Sequence, residues 1–306
     1  MFSYRHGFHA GNHADVLKHL ALVATLRHLT AKETPLWVID THAGAGLYRL
    51  DSDYARTSGE AEDGVLKLGG AVGAHAVAES WAPALRDYLD LVAAFNPPGA
   101  WRVYPGSPFI AQRLLRPDGR DRLKLFELHP SDSKALAGHV EQLKAGRQVS
   151  LARADGFEAL KALLPPPTRR ALVLVDPSYE LKADYARVLA TLRDALQRFA
   201  TGTYFVWYPV IPRPEAHELP RRLRALANQA RRAWLHATFS IGQREAPPEA
   251  TTAGGRPGLT ASGVFVINPP HTLKPALAAA LPQLLTALGR GRGRGHTLES
   301  GGGGPG

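Results

Sequence analysis

Along this chain, apolar runs alternate with segments whose apolar positions recur every three to four residues. The runs LWVID (36–40), RLKLFE (122–127), QVSLAR (148–153), ALVLVD (171–176), TYFVWY (203–208), WLHATFSI (234–241) and GVFVIN (263–268) predict strands. Helical spacing predicts helices at about 13–31, 107–116, 131–145, 157–164, 183–199, 214–228 and 273–288. Continuous apolar strands separated by helices predict an α/β protein with a mostly parallel sheet covered on both faces. Only the Pro/Gly/Thr loop 246–260 separates the last two strands, so they are expected to form an antiparallel hairpin at one sheet edge. The pattern breaks down over 51–100, where Gly and Pro are scattered around one helical stretch, APALRDYLDLVAAF (82–95). A small helical subdomain inserted into a core of 1–50 and 101–288 is expected there. The last segment, 289–306, is so rich in glycine that a disordered Arg/Gly tail is expected.

Composition narrows the classes. With 44% hydrophobic residues among 306, the chain can bury a sizeable core. No apolar run reaches the roughly 18–20 residues of a membrane span, so no membrane partner is expected. The start, MFSYRHGFHAGNHAD, has no apolar signal-peptide region. There is no cysteine, which excludes disulfides, thiolate metal sites and cysteine nucleophiles. A cytoplasmic location is the expectation. The formal charge is +10; Arg290, Arg292 and Arg294 against Glu299 put +2 of it in the tail, leaving +8 on the rest. That excess favours a polyanionic partner, nucleic acid first. Nothing points to a dimer interface, so a monomer is expected.

The chemistry collects at strand ends. Asp40 closes the first strand, and Gly44 and Gly46 fall in the turn WVIDTHAGAGLYRL that follows it. In an open α/β sheet such a turn borders the ligand crevice. The dinucleotide fingerprint needs a third glycine where this chain has Arg49, so a nicotinamide enzyme is disfavoured. A Gly-x-Gly turn without it suits S-adenosylmethionine. Glu127, Asp155 and Asp176 then follow at successive strand ends, where acceptors can hold ribose hydroxyls, an adenine amine and a substrate in turn. Each alone would read as a helix cap.

Asp176 opens DPSY, residues 176–179. The exocyclic amine of adenine is a weak nucleophile because its lone pair is delocalised into the ring. A carboxylate and the next backbone carbonyl can accept both N–H groups and favour attack, while an aromatic two residues on stacks on the flipped base. Asp176, Pro177 and Tyr179 supply these parts. Ser178 stands where such motifs carry a second proline; the loss is rigidity. A rival motif, NPPH (268–271), follows the hairpin strand, whose antiparallel direction would put it at the opposite end of the sheet.

The start, SYRHGFHAGNHADVLKH, holds His6, His9, His13 and His19. Their spacing matches no standard metal pair, so no metal is expected. Asn12 is the expected cap of a helix from His13. Basic and aromatic residues ahead of a helix suit a segment that folds over cofactor and RNA.

Taken in order, SYRHGFHAGNHADVLKH, DTHAGAG, YPGSP (104–108), ELHPSD (127–132), ADGF and DPSYE resemble the bacterial 23S ribosomal RNA adenine-N6 methyltransferases of the RlmJ family, from residue 2 to about 288. The resemblance implies a Rossmann-like class I methyltransferase fold with a helical insertion. It implies methylation of one adenine of protein-free 23S ribosomal RNA with S-adenosylmethionine as cofactor. Cofactor contacts would fall on His19, His42, Ser107, Glu127, Asp155, Gly156 and Asp176. Asp176 would be the catalytic acceptor, Tyr4 would contact the target nucleotide, and His6 and Lys18 would lie beside it. Ser178 departs from the family's Asp-Pro-Pro-Tyr. Two other readings stay open: a DNA adenine-N6 methyltransferase of the same fold, and a catalytically weak RNA-binding or ribosome-assembly factor.

Overall fold

A computed structural model of the protein describes residues 6–72, 80–117, 120–243 and 258–303. Its centre is an eight-stranded sheet of order β10-β8-β9-β7-β6-β1-β4-β5. The strands are β1 (Trp37–Asp40), β4 (Arg122–Phe126), β5 (Val149–Ala152), β6 (Ala171–Val175), β7 (Thr203–Pro209), β8 (Trp234–Ser240), β9 (Ala261–Ile267) and β10 (Gly295–Gly301). β5, β4, β1, β6 and β7 run parallel. β9 is antiparallel to both β7 and β8, and β10 is antiparallel to β8. A separate small pair joins β2 (Leu47–Arg49) to β3 (Val103–Pro105). This is the Rossmann-like arrangement of class I methyltransferases.

Strand periodicity divides the core in two. Leu172 and Leu174 of β6 face one cluster, and Val173 and Val175 face the other. On the first face pack α1 (His13–Thr30), α4 (Pro83–Ala93), α5 (Ser107–Leu114) and α10 (Leu273–Leu288). On the second pack α7 (Gly156–Leu163), α8 (Lys182–Arg198) and α9 (Pro214–Gln229). Almost every side chain of α1 from His13 to Leu26 is buried, because sheet and helices surround it. Between β4 and β5 runs α6 (Pro130–Gln142).

Three expectations change. The hairpin β8–β9 is not the edge; β10 lies outside it. The segment 295–301 is therefore a strand and not part of a disordered tail. Glycine-rich chain cannot build a core, but the open edge of β8 offers a backbone ladder that needs no side chains, and Leu298 also packs on the core. Finally, α2 (Asp53–Ser58) and α3 (Val65–Val72) precede α4 in the expected insertion, yet Val65, Leu68, Leu85, Tyr88 and Leu89 belong to the same cluster as α1 and β1. The described helices of 51–100 thus have no core of their own. Part of the loop 246–260 lies outside the described residues.

Candidate active site

From β1 the chain continues to β4 on one side and returns through β6 on the other. That switch opens a crevice at the carboxyl ends of these strands. A cavity of about 400 Å³ fills it. Its lining includes Glu127, Asp155 and Asp176 from the ends of β4, β5 and β6, with Gly44, His42, Ser107 and Gly156. His6, Lys18 and His19 close it from the N-terminal side. The structure so brings together most of the residues singled out in the sequence as a site, but Asp40, Gly46 and Tyr179 do not line the cavity.

The cavity floor is built by backbone contact. Gly44 has φ +60, and a side chain there would run into the Tyr48 hydroxyl. A side chain at Gly156 would run into the Thr41 backbone. Gly46 serves differently: it packs against Phe109 and Leu136 and does not line the cavity.

Each strand-end acid is anchored. Glu127 accepts from the amides of Gly44 at 2.8 Å and His129 at 2.7 Å, and burial pushes its carboxyl up. Asp155 caps α7 by accepting from the Phe157 amide at 3.0 Å and receives Arg187 at 2.6 Å. Burial opposes its charge, but Arg187 outweighs that and holds it below the usual carboxylate range. Asp40 accepts from the Ser107 hydroxyl at 2.6 Å, and burial pushes its carboxyl up to about 7. Burial also drives His42 down to about 4 and His19 well below the usual histidine range, which favours the uncharged ring in both. His19 Nδ1 pairs with the Tyr104 hydroxyl at 2.7 Å, while its buried Nε2 has no partner among the described residues.

The acid end of the site is a buried charge network. Lys18 Nζ donates to Asp176 Oδ2 at 2.7 Å and sits 2.8 Å from Asp15 Oδ1. His6 Nε2 lies 3.0 Å from Asp15 Oδ2. Burial opposes the charge of Lys18, but Asp15 and Asp176 hold it protonated, above the usual lysine range. Burial likewise opposes Asp15, and His6 and Lys18 hold it well below the carboxylate range. Lys18 is 4% exposed and engages two carboxylates. A substrate phosphate could reach it only by displacing one of them. Asp15 was missed as a site residue in the sequence, although its place three residues before Lys18 on one helix is the signal for such a pair. Arg187 and the exposed Leu128 and Leu181 of the rim carried no signal at all.

One further expectation, for Tyr179, is corrected. Tyr179 is 2% exposed, donates its hydroxyl to the Trp207 carbonyl at 2.7 Å and packs on Tyr185. It does not line the cavity and so presents no stacking face. A phenol that lacks water needs an internal acceptor, and the backbone of Tyr179, with φ 54, turns the ring toward one. Pro177 and Ser178 do line the cavity. Tyr4 lies outside the described residues. Asn268 of NPPH donates to the carbonyls of Ala200 and Gly202, at the starting end of β7 and opposite the cavity. The N-terminal histidines each take a different partner: Asp15 for His6, Glu60 for His9, the Leu259 carbonyl for His13 and Tyr104 for His19.

Known proteins are similar to this chain along nearly its whole length. The chain is similar to the ribosomal RNA large subunit methyltransferase J of Escherichia coli (strain K12), 40% identical over 301 residues and 98% of each chain. The protein of that name from Haemophilus influenzae is 39% identical over 294 residues, 94% of each chain. The crystal structure of protein LPL1258 from Legionella pneumophila superposes with a TM-score of 0.78 at 30% identity, covering 96% of this chain and 98% of that one. A family model described as "Ribosomal RNA large subunit methyltransferase D, RlmJ" matches residues 33–299. On this footing the chain belongs to the RlmJ family of ribosomal RNA large subunit methyltransferases.

Proposed function

We propose that this protein methylates the N6 amine of one adenine in protein-free 23S ribosomal RNA, with the base flipped against DPSY. Family membership makes the chain an S-adenosylmethionine-dependent RNA methyltransferase. The finer reading rests on one observation above all. Asp176 directly follows the fully buried β6 and lines the cavity, and among the described residues only its Oδ2 is bound, to Lys18.

The residues fit S-adenosylmethionine. Gly44 and Gly156 let the cavity-wall backbone pack closely on Tyr48 and Thr41, and the buried His19 Nε2 at that wall has no partner among the described residues. Glu127 and Asp155 would hold its nucleoside end, and Gly44, Ser107 and His19 its amino-acid end. Bound there, the cofactor supplies an electrophilic methyl group on a sulfonium. In this reading Asp176 Oδ1 accepts one N–H of the adenine amine and the Pro177 carbonyl accepts the other. The two acceptors pull the nitrogen out of conjugation and aim its lone pair. The proton that nitrogen loses leaves along the N–H···Oδ1 bond. Lys18 fixes the rotamer of Asp176 through its bond to Oδ2, and Asp15 shares the lysine. His6, at the cavity wall, would flank the nucleotide.

A nucleotide-resolution map of methyladenine in large-subunit RNA, from cells with and without the protein, tests the proposal. One N6-methyladenine that disappears with the protein is expected. Methyl transfer to duplex DNA in preference to naked RNA would overturn it. Ser178 favours the weak-enzyme reading, which predicts cofactor binding without turnover on any RNA.

A further inference from the structure

The Arg-Gly segment 289–294 sits at the active-site end of the sheet. β7 and β8 are both antiparallel to β9, so they run the same way. β10 runs back along β8 from Gly295, opposite Ser240. The loop that leads into β10 therefore lies at the carboxyl end of β8, the end at which β4, β5 and β6 deliver Glu127, Asp155 and Asp176. β10 is four strand positions from β6. At about 4.8 Å per strand this is roughly 19 Å, a span of several nucleotides along a strand.

The loop is held by its backbone. The Arg290 amide donates to the Ile241 carbonyl at 2.6 Å, the Gln243 amide to the Arg292 carbonyl at 2.9 Å, and the Ser240 hydroxyl to the Gly293 carbonyl at 2.8 Å. Side chains at Gly242 or Gly291 would strike the carbonyls of Arg290 and Gln243, and both glycines have positive φ. The glycines are thus required by the crossing; the arginines between them are not. Arg290 pairs with Asp63. Asp63 follows Glu60, which His9 and Asn12 grip, three and six residues beyond the cavity-lining His6. That chain of contacts joins the loop to the cavity wall. Arg292 and Arg294 are exposed and have no side-chain partner among the described residues, unlike Arg187, Arg198 and Arg224, which pair with Asp155, Asp194 and Glu299.

We infer that Arg292 and Arg294 contact phosphates of the substrate strand several nucleotides from the target base, on a rail fixed by the β8–β10 crossing. This rests on the RNA methyltransferase reading. Its test compares the full chain with Arg292→Ala/Arg294→Ala and with a charge-matched control, Arg221→Ala/Arg222→Ala, on an exposed face of α9. The probes are a protein-free large-subunit RNA transcript and an oligoribonucleotide too short to reach the loop. For the loop variant on the transcript, the slope of log affinity against log salt should fall by about 1.4–1.8, two phosphates at ~0.7–0.9 each. KM for the transcript should rise several-fold with kcat unchanged, and turnover of the oligoribonucleotide should not change. Arg292→Lys/Arg294→Lys should restore the slope. An unchanged slope, or an equal fall in the control, overturns the inference. Wild-type protein that methylates no RNA would instead overturn the reading beneath it, and the salt slopes would still decide the loop.

Discussion

Asp176 and Lys18 touch at 2.7 Å across 158 positions of sequence, and the pair sets what each can do. Asp176→Ala leaves Lys18 its second carboxylate, Asp15, so the fold should survive. Methyl transfer should fall at least ~10²–10³-fold, as for other groups that stabilise a transition state by hydrogen bonding. Cofactor affinity measured by calorimetry should change little, and turnover within about three-fold of wild type would remove Asp176 from the mechanism. Asp40 gives a test on pH. Its folded-state pKa of about 7 stands above the ordinary aspartate value, through burial, so the folded state binds the extra proton. Asp40 therefore costs stability as pH rises from about 4 to about 7. His42 is depressed to about 4 by burial, so it works the other way over about 4 to 6.5. Comparing wild type with Asp40→Asn cancels the histidine. The thermal midpoint of the variant should gain on wild type as pH rises from 4 to 7. A constant difference across that range would show that Asp40 is ionised throughout.

At the scale of elements, the DPSY turn carries the clearest test. No hydrogen bond from the Ser178 amide occurs among the described residues, and its hydroxyl lies 3.5 Å from the Glu180 amide, a marginal contact. Proline at 178 therefore breaks nothing visible and restricts Pro177 to the extended region. Ser178→Pro should gain about 0.4–1 kcal/mol in denaturant unfolding and keep or raise turnover by a few-fold. A large fall in turnover with cofactor affinity kept would make the serine a working part of the site. Most elements were legible beforehand because local pattern suffices for them. The helices at 107–114, 130–142, 182–198 and 273–288 start within a residue of where the apolar spacing put them. Asn12 caps α1 as its type predicts, accepting from the amides of Ala14 and Asp15. The pair β2–β3 was not legible: three residues are too few for a periodicity, and their partners lie over fifty positions apart.

For the whole molecule, the last strand is the part most open to test. Seven residues of β10 pair with β8 from Gly295 to Gly301, and Arg224 binds Glu299 across them. A chain ending at residue 288 would bare the edge of β8. At a few tenths to ~1 kcal/mol per cross-strand pair, the loss is about 3 kcal/mol. A lower thermal midpoint and concentration-dependent aggregation are expected, since a bare edge recruits other strands. A truncated chain as stable and as soluble as the full one would show that β10 contributes only its loop.

The sequence by itself determined the strands that end in acids, the helix caps, the Gly-x-Gly turn and the order in which they come. These follow from periodicity and residue chemistry within a few neighbours, and the motif order also carried the family. Only the tertiary structure decided which groups share a charge. Asp15, Lys18 and Asp176 are ordinary surface residue types until α1 is buried against the sheet, and then burial forces them into one network. It decided that Tyr179 turns inward to the Trp207 carbonyl, because its partner lies 28 residues away on another strand. It also decided the fate of 289–301. Composition reports whether a segment can fold alone; whether a neighbouring edge is free to pair with it depends on strand order, which no local pattern contains.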